Sequence, residues 1–143
     1  MTVKEALKEK NLVIKKINEN LEKIYAYNSI DVENKRPYST DLLLTNVKEL
    51  TTSLIELKTK IHIANTPVYH KIFEMSELKN LAKRISNIDC SEGKVVDRYT
   101  RTEPTVKVAE ITVVDRDTIV KDLEEQIDRI QGELDYHNAT TQI

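Results

Sequence analysis

The sequence predicts a mainly α fold (α+β by strict count). It would be long antiparallel helices in a bundle or coiled coil, with one small antiparallel β-hairpin before the last helix. Three observations carry that expectation. Apolar residues recur at spacings of three and four over most of the chain. Only 2 Gly and 3 Pro occur among 143 residues, too few for a β-sandwich that turns every ten residues or so. One stretch, about 94–114, loses the helical period and becomes rich in Val, Thr, Ile and Tyr, as strands are.

The first helix spans about 3–28. Val3, Leu7, Ile14, Ile17, Leu21 and Ile24 share one stripe, interrupted by Lys10, whose stem can lie along it. A polar connection, about 29–41, holds Pro37 and three N-cap candidates, Ser39, Thr40 and Asp41. The second helix runs to about Ala64. Leu43, Val47, Leu50, Leu54, Leu57, Ile61 and Ala64 alternate three and four without a break, the pattern of a coiled-coil seam.

Asn65-Thr66-Pro67 ends that helix, and an irregular stretch with Tyr69, His70 and Phe73 follows. A third helix is expected over about 74–88, with Leu78, Leu81, Ile85 and Ile88 on its stripe. Ser91-Glu92-Gly93 is a turn. Two strands then fill about 94–114, joined by Arg101-Thr102-Glu103-Pro104. Glu110 breaks the face shared by Val106 and Val108, which points to a bulge or to a strand covered on both sides. Asp115 would cap a last helix to about His137, with Ile119, Leu123, Ile127, Ile130, Leu134 and His137 on its stripe.

Composition bounds the function. The length suits one domain, about 1–143, and charged residues are 32% against 39% hydrophobic. A net charge of -2 argues against a long nucleic acid as partner. No apolar run approaches the roughly 20 residues of a membrane span, and Met1 to Lys8 alternates charges where a secretory signal would be apolar. The lone Cys90 fits a reducing compartment, so a cytoplasmic protein is expected. Seams of heptad type must be covered, so a homo-oligomer is expected too.

Catalytic motifs are missing from the sequence. It has no Gly-rich phosphate loop, no paired cysteines and no His-x-x-x-His spacing, and His62, His70 and His137 are scattered. No enzyme, no cofactor and no metal site are therefore expected. The segment with unusual chemistry is Asp97-Arg98-Tyr99-Thr100-Arg101-Thr102-Glu103. Arg98 and Arg101 supply planar forks of donors for a phosphate or carboxylate, Thr100 and Thr102 supply hydroxyls, and Tyr99 can stack on a base. The alternative is an edge strand whose arginines pair with Asp97 and Glu103.

At this segment the sequence resembles an uncharacterised bacterial and phage helical family of about this length, some members of which carry the label "septicolysin". The resemblance covers most of the chain. It rests on Lys4-Glu5-Ala6-Leu7, Ile61-His62-Ile63-Ala64-Asn65-Thr66, Arg98-Tyr99-Thr100-Arg101-Thr102-Glu103 and Asn138-Ala139-Thr140-Thr141-Gln142-Ile143. The family usually has an aromatic where Ala139 stands.

The resemblance implies the long-helix-plus-hairpin fold and no established activity. It adds Asn65, Thr66, Asn138, Thr140 and Thr141 to the hairpin residues as motif-like polar positions at element ends, which suits a small anionic ligand. The expectation is a non-catalytic oligomeric binding protein for a phosphate-bearing small molecule or nucleotide. One concrete form is a phage-encoded sponge that sequesters a nucleotide immune signal, an anti-defence role. The alternative is a structural or assembly protein acting through helix–helix and hairpin contacts.

Overall fold

The computed structural model describes residues 1–95, 103 and 105–143. It contains four α-helices, α1 (Val3–Tyr27), α2 (Thr40–Ala64), α3 (Tyr69–Ser86) and α4 (Val113–Thr140). A 3₁₀ turn (Thr66–Val68) precedes α3, and a two-stranded antiparallel sheet, β1 (Gly93–Val95) and β2 (Thr105–Lys107), precedes α4. The chain divides into two compact units, one of Met1–Val68 with Asp135–Ile143, the other of Tyr69–Leu134.

In the first unit, α1 begins in a capping box. Glu5 N–H donates to the Thr2 hydroxyl at 3.2 Å, and Thr2 N–H donates to the Glu5 carboxylate at 2.8 Å. That backbone bond from Thr2 is the first cause holding the Glu5 carboxyl below its usual range. At the other end, Arg36 donates to the carbonyls of Tyr27 and Asn28 at 3.2 and 3.0 Å. A cation thus meets the orphan carbonyls at the negative end of the helix dipole. Of the three candidate caps for α2, Ser39 takes the role, accepting from Leu42 N–H.

α1 and α2 pack antiparallel. Asn20 donates to Asn46 at 3.0 Å near one end, and Val13 and Leu57 line one groove nearer the other. Val3, Ala6 and Val13 of α1 and Val47 and Ile61 of α2 are buried. The remaining seam residues, among them Ile14, Ile17, Leu50 and Leu54, are only half-buried. A side chain of this type contributes about 1.5–3 kcal/mol when fully covered, so a half-covered seam leaves much of that unrealised. The chain ends join this unit through an antiparallel bridge, Thr2 opposite Gln142. Val3 N–H donates to Thr141 O at 2.9 Å and Ile143 N–H to Met1 O at 3.0 Å.

The second unit departs from expectation in three places. First, α3 starts at Tyr69 rather than near Glu74. Pro67 sits inside a 3₁₀ turn that leads into the helix, where a missing N–H costs nothing, and Tyr69 stacks on Phe73 one turn later, ring centroids 5.8 Å apart. Second, Leu78, Ile85 and Ile88 of the predicted α3 stripe are half-buried, but Leu81 is exposed and its neighbour Ala82 is buried instead. Third, β2 ends at Lys107, and Val113 and Val114 open α4.

The cap of α4 is Thr112, with Asp115 as its reciprocal partner. Asp115 N–H donates to the Thr112 hydroxyl at 3.2 Å and Thr112 N–H to the Asp115 carboxylate at 3.3 Å. This box starts the helix two residues before Asp115 and overrides the β preference of its valines. Of the predicted α4 stripe, Leu123, Ile130 and Leu134 are buried and Ile127 and His137 half-buried, while Ile119 is exposed.

Candidate functional site

The β-ribbon is rooted by short-range polar bonds. Gly93 pairs with Lys107, Lys94 with Val106, and Val95 with Thr105. Gly93 has φ of 91°, a left-handed conformation that favours glycine at the entry to β1. Just before it, the Asp89 carboxylate accepts from the N–H of Ser91 at 2.9 Å and from its hydroxyl, and lies 3.7 Å from the Lys107 ammonium. The Ser91 hydroxyl first, then its N–H and the Lys107 charge, hold the Asp89 carboxyl below its ordinary range. Arg116 of α4 donates to Ile88 O at 3.2 Å, and Cys90 is buried beside the same carbonyl.

Above this root the ribbon faces solvent. Gly93, Lys94, Thr105, Val106 and Lys107 are all exposed, Val106 by 69%, and Val108 just beyond β2 by 87%. Arg98, Tyr99, Thr100, Arg101 and Thr102, the ligand residues expected in the hairpin, lie outside the described residues, as does the expected turn Arg101-Thr102-Glu103-Pro104 apart from Glu103, which is exposed.

The other predicted residues fall in the first unit, around the end of α4. Asn65 caps α2 and directs its side-chain oxygen at Nε2 of His137, 3.3 Å away. His137 Nδ1 lies 3.1 Å from the hydroxyl of Thr141. Asn65 is thus linked through His137 to Thr141, one of the tail positions that the family resemblance marked. Thr66 and Thr140 do not join that network. The Thr66 hydroxyl donates to His62 O of the preceding helix α2 at 3.4 Å, and that of Thr140 to Tyr136 O of its own helix at 2.8 Å. Asn138 is half-buried.

His137 is the member that sequence reasoning placed only on the α4 stripe. Its phase with Ile130 and Leu134 was the available signal, since a polar ring in an apolar row needs partners. Its two partners join α4 to α2 and to the chain end.

Grooves occur elsewhere. Between α3 and α4 in the second unit, Lys79, Lys83 and Ser86 face Val120, Glu124 and Ile127 across a space of about 370 Å³. Beside the α1–α2 connection, Tyr38, Leu42, Asn20 and Asn46 border one of about 480 Å³. Neither includes a sequence-predicted ligand residue. Lys71 and Glu133 form an ion pair at 2.8 Å, and the hydrogen bond from that ammonium lowers the Glu133 carboxyl below its usual range.

Among the described residues, no group of three or more His, Cys, Asp or Glu is placed to hold a metal ion, and no helix is long and apolar enough to cross a membrane. Comparison with protein families, with curated proteins and with solved structures finds no match.

Proposed function

We propose that this chain is a non-catalytic, oligomeric binding protein for a phosphate-bearing small molecule, with the β-ribbon as its binding element. The observation that carries this is the exposure of the ribbon on both strands, with Val106 and Val108 uncovered. A lone two-stranded ribbon is marginal in water, so one that stands out from its root needs a partner to complete it. The residues between β1 and β2 include Arg98, Tyr99, Thr100, Arg101 and Thr102. Guanidinium forks and hydroxyls suit phosphate oxygens, and a phenol ring suits a base. A phage-encoded sponge for a nucleotide immune signal is the specific form this takes, on the resemblance carried by the same segment.

The test is calorimetric titration of the full chain with cyclic dinucleotides and cyclic ADP-ribose derivatives, beside an Arg98→Ala/Arg101→Ala variant. Saturable heat in the wild type and its loss in the variant, at unchanged oligomer mass, is the expected result. No heat and no melting shift across the panel overturns the proposal.

A second reading, a structural or assembly protein, is favoured by the half-covered α1–α2 seam. Under it the same double substitution disrupts oligomer or partner binding and touches no small molecule.

A further inference from the structure

The groove of about 480 Å³ beside the α1–α2 connection differs in charge from its neighbours. Among the described residues that border it, none is charged. Charged residues make up 32% of the chain, and other grooves show them. One holds Lys79, Lys83 and Glu124, another Glu19, Glu22 and Lys23. An ion entering the neutral groove would lose water and meet no counter-charge, whereas an uncharged guest loses little.

One wall is the ring of Tyr38, and that ring is backed from one side. The Lys23 ammonium stands 4.7 Å from its centroid, and the Tyr27 ring 5.8 Å away at a tilt of 54°. Lys23 and Tyr27 border the separate hollow with Glu19 and Glu22. The groove therefore meets Tyr38 on the side that these two leave open. Tyr38 is 41% exposed, and Leu42 on the groove is 73% exposed. An aromatic ring already braced from behind loses little further freedom when a flat guest stacks on it.

The polar atoms sit where α1 meets α2. Asn20 donates to the Asn46 side-chain oxygen at 3.0 Å, and both residues border the groove. That bond uses one N–H of Asn20 and turns the two amides toward each other. Among the described residues, the Asn20 oxygen and the Asn46 N–H groups take no further bond. An acceptor and a donor are thus available together, the pair that an asparagine uses to read the N6/N7 edge of adenine.

The geometry points to a binding site at the end of the α1–α2 hairpin for an uncharged, planar heteroaromatic ring of the nucleobase class, stacked on Tyr38 and read along its edge by Asn20 and Asn46. The volume falls in the range of about 300–1,000 Å³ common to small-molecule sites, and a few polar atoms among apolar walls is their usual composition. This site shares no residue with the ribbon and does not depend on the reading above.

The test is saturation-transfer NMR on the full chain, with adenine as the probe. Saturable transfer to adenine is expected, with half-saturation at about 1 mM or below. Tyr38→Leu should weaken it at least tenfold, and Tyr38→Phe should leave it unchanged. Asn46→Asp keeps the oxygen that accepts from Asn20 and removes the N–H groups, so it too should weaken adenine. In the wild type, purine, which lacks the exocyclic amine, should bind at least threefold more weakly than adenine. Inorganic phosphate should not displace adenine, and Arg98→Ala/Arg101→Ala should bind it like the wild type. Absence of transfer overturns the proposal, as does equal binding of adenine and purine. So does full affinity in a Tyr38→Leu chain of wild-type helicity, or loss of adenine in the arginine variant, which would place the base on the ribbon.

Discussion

The Nε2 of His137 stands 3.3 Å from the side-chain oxygen of Asn65, tying the last turns of α4 to the C-terminal cap of α2 across 72 positions of sequence. An amide oxygen only accepts, so the ring donates there, and on its other side a neutral ring accepts from the Thr141 hydroxyl. The same segment carries Thr141 O, which accepts from the fully buried Val3. One half-buried ring thus steadies the junction of three chain segments.

His137→Ala should therefore destabilise by about 1–2 kcal/mol, since partly buried partners lose their bonds. The local effect should be larger than the global one. Hydrogen exchange at the amides of Val3 and Ile143, which hold the terminal bridge, should accelerate at least tenfold. Unchanged protection at both would show that the bridge stands without the ring.

The start of α4 depends on one hydroxyl. Thr112→Ala should cost about 1 kcal/mol and Thr112→Ser close to nothing, because Ser keeps the capping oxygen. Thermal melts followed by far-ultraviolet circular dichroism check both. An equal loss in the two variants would place the stabilisation in the methyl group instead.

Much of this was legible in the residues. The α2 stripe is a strict repeat and the α1 stripe one interrupted at Lys10, neither holds a helix breaker, and both helices fall close to their predicted limits. The α3 start was not, because Pro67 reads equally as a break or as the entry to a helix, and only the 3₁₀ turn beneath it decides. The end of β2 was hidden by Val113 and Val114, which favour strands in isolation. Thr112-Val113-Val114-Asp115 held the capping-box spacing that outweighed them. For the site, Asn65 and the tail were marked by the family resemblance alone, as polar element ends. Their meeting through His137 was not, since nothing local encodes a contact of that separation.

Acid should weaken the fold through three carboxylates held by hydrogen bonds. Glu5 and Glu133 sit below an ordinary value of 4.5, and Asp89 below 3.8. A native pKa below the unfolded one contributes stability that is fully present above the unfolded value and lost as pH falls through the native one. Denaturant midpoints should hold steady from pH 7 to about 5 and drop below about 4. The Glu5→Gln/Asp89→Asn/Glu133→Gln variant should show a smaller drop over that interval. An equal drop would assign the acid response to other groups.

At the α1–α2 connection, Arg36 is the residue to remove. Arg36→Ala frees the Tyr27 and Asn28 carbonyls and should cost about 0.5–1 kcal/mol, an exposed charge-to-dipole contribution that fades with salt. Melting in low and high salt separates it from a packing loss, which salt would leave unchanged.

The central claim, that the segment from β1 to β2, whose sequence includes Arg98 and Arg101, takes a phosphate-bearing guest within an assembly, is read most directly by native mass spectrometry of the purified chain after incubation with the nucleotide panel. The predicted spectrum shows a multimer heavier than its polypeptide by a fixed, stoichiometric nucleotide mass, and that increment vanishes with Arg98→Ala/Arg101→Ala. A bare polypeptide mass with every member of the panel would contradict it.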